Sequence, residues 1–193
     1  MNTERRTQAT APPQLTEDGL MTTASANEMS DALRLVWPQW QGATAANAAA
    51  LVPEVSPERA RRGYAVGARV LEAVLPPHAG PTVVVDVPAT DPAEDPAAST
   101  VAGIESRSAV ISSLKSALAV LAEQSPARVL TLGGECSVSV APFAYLQKQY
   151  GDDFAFIWID AHPDTDTADT AYDGYHAMAV STLLGHGDPE ITG

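Results

Sequence analysis

Phe154-Ala155-Phe156-Ile157-Trp158-Ile159-Asp160-Ala161-His162-Pro163-Asp164 is an apolar run that ends in two carboxylates and an imidazole at every second position. Residues 154–159 read as a buried strand. Alternate side chains of an extended chain share a face, so Asp160, His162 and Asp164 are expected to converge if extension continues past the strand end. Carboxylate oxygens with one imidazole suit Mn(II) and related divalent ions and leave positions open for water and substrate. The competing reading is a strand running into a polar loop, where Asp and His serve turn formation and solubility.

One helix earlier lies a second strand end, Leu130-Thr131-Leu132-Gly133-Gly134-Glu135-Cys136-Ser137. Together the two stretches resemble the arginase and agmatinase (ureohydrolase) family. That family carries Gly-Gly-Asp-His-Ser at one strand end and Asp-Ala-His-x-Asp at the next, and hydrolyses guanidino compounds with a pair of Mn ions. The resemblance runs from about Leu33 through His176 and an expected helix at residues 177–184. It implies that Asp160 bridges two metals while His162 holds one and Asp164 the other. Two such ions polarise a shared water for attack on the planar guanidinium carbon.

Departures from the family pattern matter as much. Cys136 stands where the family has its first metal-binding His, and Glu135 replaces the Asp before it. A thiolate can ligate, yet it is softer than imidazole and must first lose a proton, so Zn, Co or Fe compete with Mn there. Packing at the strand end is the equally weighted reading of Cys136. By resemblance His176 is the catalytic proton shuttle, a task an imidazole suits near neutral pH, with capping or core packing as the competing role. Asp166 stands where arginases have an Asn that helps hold the substrate's amino-acid carboxylate. A carboxylate there repels another, which predicts that arginine itself is a poor substrate.

Working outward, residues 1–30 lack apolar periodicity and read as a disordered tail, followed by one arginase-like α/β domain over residues 31–193. Residues 33–37 read as a strand, with Trp40 in the loop after it as a packing residue. Ser56-Pro57 starts a helix that runs to Leu75, with Ala60, Tyr64, Gly67, Val70, Leu71 and Val74 as its core stripe. Gly63 and Gly67 are expected to allow close approach to the sheet. Residues 82–87 read as a strand covered on both faces, and residues 88–103, with Asp91, Glu94 and Asp95, as a solvated acidic loop. A helix over residues 104–124 carries Val110, Ile111, Leu114, Leu118 and Leu121 on one stripe. The strand 128–132 and a helix from about Ser139 to Gly151 complete the third unit. His78 and His186 read as surface residues.

Strand and helix thus alternate four times, which predicts a doubly wound parallel sheet with helices on both faces, the three-layer architecture of the resemblance. Both motifs fall beyond the carboxyl ends of strands, where such sheets bind ligands. The family's later Ser-x-Asp-x-Asp-x-x-Asp-Pro motif is not in the 193 residues. The fold is therefore expected to be the N-terminal portion, truncated after the fourth strand–helix unit.

A net charge of −13 with only 11 Lys and Arg argues against nucleic acid and anionic membranes, and favours a small cationic guanidino substrate. The single cysteine excludes an internal disulfide framework and fits a reducing cytoplasm. No run is apolar and long enough for a membrane helix. The resemblance implies a homo-oligomer, as family members commonly assemble. The functional expectation is a metallohydrolase acting on a linear guanidino or amidino C–N bond. The alternative is a catalytically inactive, degenerate or truncated member with weak metal binding. A nucleotide-binding module is disfavoured, because no Gly-x-Gly-x-x-Gly loop follows a strand.

Overall fold

The computed structural model describes residues 32–89 and 100–192. The expected N-terminal tail and the acidic residues Asp91, Glu94 and Asp95 lie outside them. Three parallel strands form the sheet, β1 (Ala32–Trp37), β2 (Thr82–Val84) and β3 (Arg128–Gly133), in the order β2-β1-β3. The helices are α1 (Ala45–Leu51), α2 (Pro57–Val74), α3 (Arg107–Gln124), α4 (Val140–Tyr150), α5 (Ala179–Leu183) and α6 (Pro189–Thr192). β1 pairs with Thr82–Val84 on one side and along its whole length with Arg128–Gly133 on the other.

Because the chain adds strands first to one side of β1 and then to the other, its crossovers pass over opposite faces. The alternation of β1 displays both. Leu33, Leu35 and Trp37 point into a cluster with Leu114, Ala117 and Leu121 of α3 and Val140 and Ala141 of α4. Arg34, on the other face, donates to the Pro76 carbonyl just after α2 at 3.0 Å. Trp37 is fully buried and its indole N–H donates to Ser113 Oγ at 2.6 Å. A buried tryptophan needs such an acceptor, so one bond sets both its ring and the height of α3 over the sheet.

The expected doubly wound α/β architecture is present, with three strands where four were anticipated. The fourth, residues 154–159, is the main correction. The segment is extended but joins no ladder, so it is not a buried strand. Phe154, Phe156 and Trp158 pack on Phe143 of α4, with ring centroids 6.3, 5.6 and 6.5 Å away. Ile157 and Ile159, on the opposite side, are 83% and 93% exposed. Strand propensity needs a neighbour to hydrogen-bond, and the described chain places none there.

Three smaller corrections accompany it. β2 is a three-residue edge strand with Val84 substantially exposed, so residues 82–87 are not covered on both faces. The long third helix starts at Arg107 rather than at residue 104. The stripe expected to bury α2 faces outward instead. Val70, Leu71 and Val74 are exposed, the buried residues are Arg61 and Ala68, and a Cβ at Gly63 or Gly67 would meet nothing within 4 Å.

Helix α1 is an element the sequence pattern does not announce. Its Ala-rich heptamer carries no apolar periodicity, but Thr44 Oγ1 accepts from the Asn47 amide at 3.2 Å and caps it.

Candidate metal centre

Three loops meet at the carboxyl edge of the sheet. The first, residues 38–44 after β1, is clamped by Arg61 of α2, a fully buried guanidinium that donates to the carbonyls of Gln41 and Ala43 and to Ser106 Oγ. Its charge is met by Glu105 at 2.8 Å. Trp40, buried as expected, stacks between Arg61 and Arg62, whose guanidinium carbons lie 5.3 and 5.1 Å from the ring centroid.

The second loop follows β3. Glu135 is buried and accepts from Gln39 Nε2 and from the hydroxyl and amide of Ser137, all at 2.9 Å. It thereby caps the 3₁₀ turn Cys136–Ser139 that leads into α4. The Glu135 carboxylate also occupies the space where a side chain on residue 42 would lie, which is why Gly42 sits opposite it. The glutamate spends its oxygens on holding the loop in shape, with Cys136 next to it facing outward.

The third loop, residues 160–177, does not continue the extended chain. It bends at residues 160–162, and Asp164 takes a left-handed backbone with φ 48°. Aspartate tolerates that conformation better than most residues. The Asp164 carbonyl accepts the Val180 amide at 2.9 Å, so the start of α5 holds the bend. Alternation along a strand is therefore not what brings Asp160 and Asp164 together; a turn does it, and it leaves His162 outside.

What converges is Cys136, Asp160 and Asp164, whose ligand atoms all lie within 4.8 Å of one another. The Cys136 thiol donates to Asp160 Oδ2 at 3.6 Å. Asp164 is buried, and its Oδ2 has no hydrogen-bond partner among the described residues. His162 projects into solvent with its side chain 81% exposed and Nδ1 3.9 Å from Asp160 Oδ1. Burial raises the Asp164 carboxyl above the ordinary range, with the Asp160 charge adding to it. Burial also pushes the Cys136 thiol well up, helped by Asp164, Asp160 and Glu135. Asp160 shifts the other way, because the His162 amide donates to its carboxylate.

A buried carboxylate oxygen without a donor, beside a second carboxylate and a thiol, is an arrangement that a cation relieves. The donor set fits a divalent ion. A thiolate with two carboxylates is softer than an all-oxygen site and suits Zn, Co or Fe at least as well as Mn.

His176 stands apart from this cluster in the wall of the same cavity of about 360 Å³, which Cys136, His162, Asp164 and Asp166 also line. Its amide donates to the Gly42 carbonyl at 3.1 Å and its Nε2 lies 2.8 Å from the Tyr172 hydroxyl. Asp166 is held through its amide, which donates to the Ala177 carbonyl. Of the two residues treated as surface, His186 is exposed, whereas His78 lies 2.7 Å from the Ala32 carbonyl and is half-buried.

Two further residues of this wall, Asn47 and Tyr172, were not singled out from sequence. A signal existed for both. Asn47 is the one polar residue of the α1 heptamer, and Tyr172 stands four residues before His176.

Residues 82–190, more than half of the chain, match the family model described as the Arginase family. The chain belongs to the arginase family. A stretch of 64 residues, 33% of this chain and 21% of the other, is 39% identical to an arginase of Bacillus caldovelox. Another of 62 residues, 30% of this chain and 17% of the other, is 40% identical to an arginase of Neurospora crassa. The fold superposes on the native arginase structure from B. caldovelox with TM-score 0.55 at 18% identity, over 85% of this chain and 52% of that one. It superposes on the Entamoeba histolytica arginase in complex with L-ornithine with TM-score 0.53 at 17% identity, over 83% and 51%. This arginase-family chain thus spans about half the length of the arginase structures it matches.

Proposed function

We propose that the chain carries part of the active site of a ureohydrolase-type metallohydrolase, which cleaves a C–N bond of a small linear guanidino or amidino compound. The observation that carries this is the convergence of Cys136, Asp160 and Asp164 at the carboxyl edge of the sheet, with His176 in the wall of the cavity they open into.

Asp164, Asp160 and Cys136 would hold the ion, and His162 would join them by turning about its exposed side chain. When bound, a divalent ion supplies Lewis-acid activation of the attacking water. The protein's own contribution is placement. Asp166 gives the cavity a negative wall that attracts a planar cation and disfavours a carboxylate on the substrate. His176 hands a proton to the departing amine nitrogen as that nitrogen takes the electron pair of the C–N bond. The E. histolytica relative was solved with L-ornithine, a small compound that bears both amines and a carboxylate, so a preference against carboxylates would set this chain apart from it. Among the described residues no helix is long and apolar enough to cross a membrane. The single cysteine fits a reducing cytoplasm and Asp166 an agmatinase-like preference, while Mn or a softer ion and assembly with copies of itself are carried over from the family resemblance.

The test is metal titration of the full chain by calorimetry with Mn, Co and Zn, followed by urea release from agmatine and from arginine with the bound ion. Stoichiometric binding that weakens roughly tenfold to a hundredfold in Asp164→Asn, with agmatine turned over faster than arginine, is the expected result. Metal binding without urea release from any guanidine would move the reading to an inactive family member. Faster turnover of arginine would remove the role given to Asp166.

A further inference from the structure

The wall that holds His176 contains a hydrogen-bonded chain that the proposed chemistry does not use. Asn47 Nδ2 donates to the Tyr172 hydroxyl at 3.3 Å, and that hydroxyl lies 2.8 Å from His176 Nε2. A phenol has one proton to give. With an amide N–H already directed at its oxygen, the hydroxyl is set to give that proton to Nε2, the arrangement in which the neutral imidazole carries its own hydrogen on Nδ1.

The backbone is shaped for this contact. Residues 172–174 are not helical, yet side chains 172 and 176 meet, with ring centroids 5.4 Å apart and planes at 40°. They meet because Gly174 is buried under the Tyr172 ring, whose edge fills the space a Cβ would need. Any other residue at 174 would push the phenol off the imidazole. The backbone of His176 is anchored as well, since its amide donates to the Gly42 carbonyl in the loop before α1. Gly42 thus fixes the main chain of His176, and Asn47 of α1 holds the phenol that meets its ring.

We infer that Tyr172 and Asn47 are positioning residues for His176. They orient its ring and select its tautomer, and Gly174 is the cradle that admits the phenol. The hydroxyl serves both states of the ring, donating to Nε2 of the neutral imidazole and accepting from Nε2–H of the charged one. Nδ1 is left as the nitrogen that exchanges protons with a substrate. In that step the charged ring gives its Nδ1 proton to the leaving amine, the C–N electron pair stays on that amine, and the other hydrogen stays on Nε2, donated to the phenol oxygen, until exchange with solvent restores the Nδ1–H form. This step rests on the proposed hydrolytic function, whereas the positioning itself does not.

The experiment is long-range ¹H–¹⁵N correlation of the imidazoles in the full chain, at a pH where they are neutral, with His176→Asn to assign the signals among four histidines. The wild-type His176 is expected as the Nδ1–H tautomer. Tyr172→Phe keeps the ring over Gly174 and removes only the hydroxyl, and should shift the tautomer ratio toward Nε2–H by roughly tenfold. Gly174→Ala, which displaces the whole phenol, should do the same, and Asn47→Ala should shift it by roughly twofold to threefold.

Where urea release is measurable, Tyr172→Phe should lower kcat roughly tenfold with KM changed by less than about twofold, the mark of a group that acts through another. His176 signals unchanged in Tyr172→Phe would overturn the assignment, whatever the enzyme does. A shift in those signals with no hydrolysis by any form would uphold the positioning and remove the hydrolytic reading alone.

Discussion

Helices α2 and α3 are both 18 residues long and cover opposite faces of the same sheet, yet they are held by different physics. α3 buries Leu114, Ala117 and Leu121 against the Leu33, Leu35 and Trp37 face of β1. α2 buries Arg61 and leaves Val66, Val70 and Leu71 open along a groove with Leu51, Val52 and Tyr64. One is fastened by apolar area, the other by a single cation that ties the loop after β1 to its flank. An apolar stripe marks a helix face, but whether that face is inside depends on what lies over it. The isoleucines of residues 154–159 repeat the lesson on an extended segment.

The comparison breaks most directly at Arg61. Arg61→Ala leaves Glu105 without its cationic partner and two loop carbonyls without this donor, and should cost about 3–5 kcal/mol in denaturant unfolding. A loss below about 1 kcal/mol would mean that α2 is held by its apolar contacts after all.

Leu114→Ala on α3 removes a buried side chain from the main cluster and should cost about 2–5 kcal/mol by the same measurement. The α3 side also has a charged clasp, in which Arg107 reaches Asp188 in two hydrogen bonds of 2.7 and 2.8 Å. Asp188→Asn should cost about 2 kcal/mol at neutral pH.

The sign of the pH effect follows from Arg107, whose hydrogen bonds hold the Asp188 carboxyl below the ordinary range. The folded pKa is the lower one, so the stabilisation is complete above the unfolded value near 4 and disappears as pH falls through the folded value. Unfolding curves of wild type and Asp188→Asn should therefore converge below about pH 4. Curves that stay parallel would show the clasp contributes nothing.

The smallest expected effect sharpens the contrast. Val70→Ser on α2 and Ile159→Thr on the unpaired segment should each change stability by less than about 0.5 kcal/mol, because neither removes buried area. A cost above 1 kcal/mol for either would show that something covers these faces in solution.

Much of this was legible in the residues. β1 and β3 were readable as short β-branched or leucine-rich runs ending at Pro38 and Gly133-Gly134, and the limits of α2 and α4 from Pro57 and Gly151. The family motifs do lie beyond the carboxyl edge of the sheet. α1 was not legible, since Ala45–Leu51 has no periodicity to detect and depends on one threonine cap. Nor was the role of Glu135, because its partner Gln39 is 96 residues away and only the pairing of β1 with β3 brings them together.

The sequence by itself determined the order of β1, α2, β2, α3, β3 and α4, the acidic charge and the identity of the residues in the two motifs, all local or compositional properties. Tertiary structure alone decided which of them meet. The turn at Asp164 brings Asp160 and Asp164 to Cys136 and leaves His162 in solvent, and the fold-back over Gly174 seats Tyr172 on His176. Those outcomes depend on backbone angles and on neighbours distant in the chain, and spacing along the sequence carries neither.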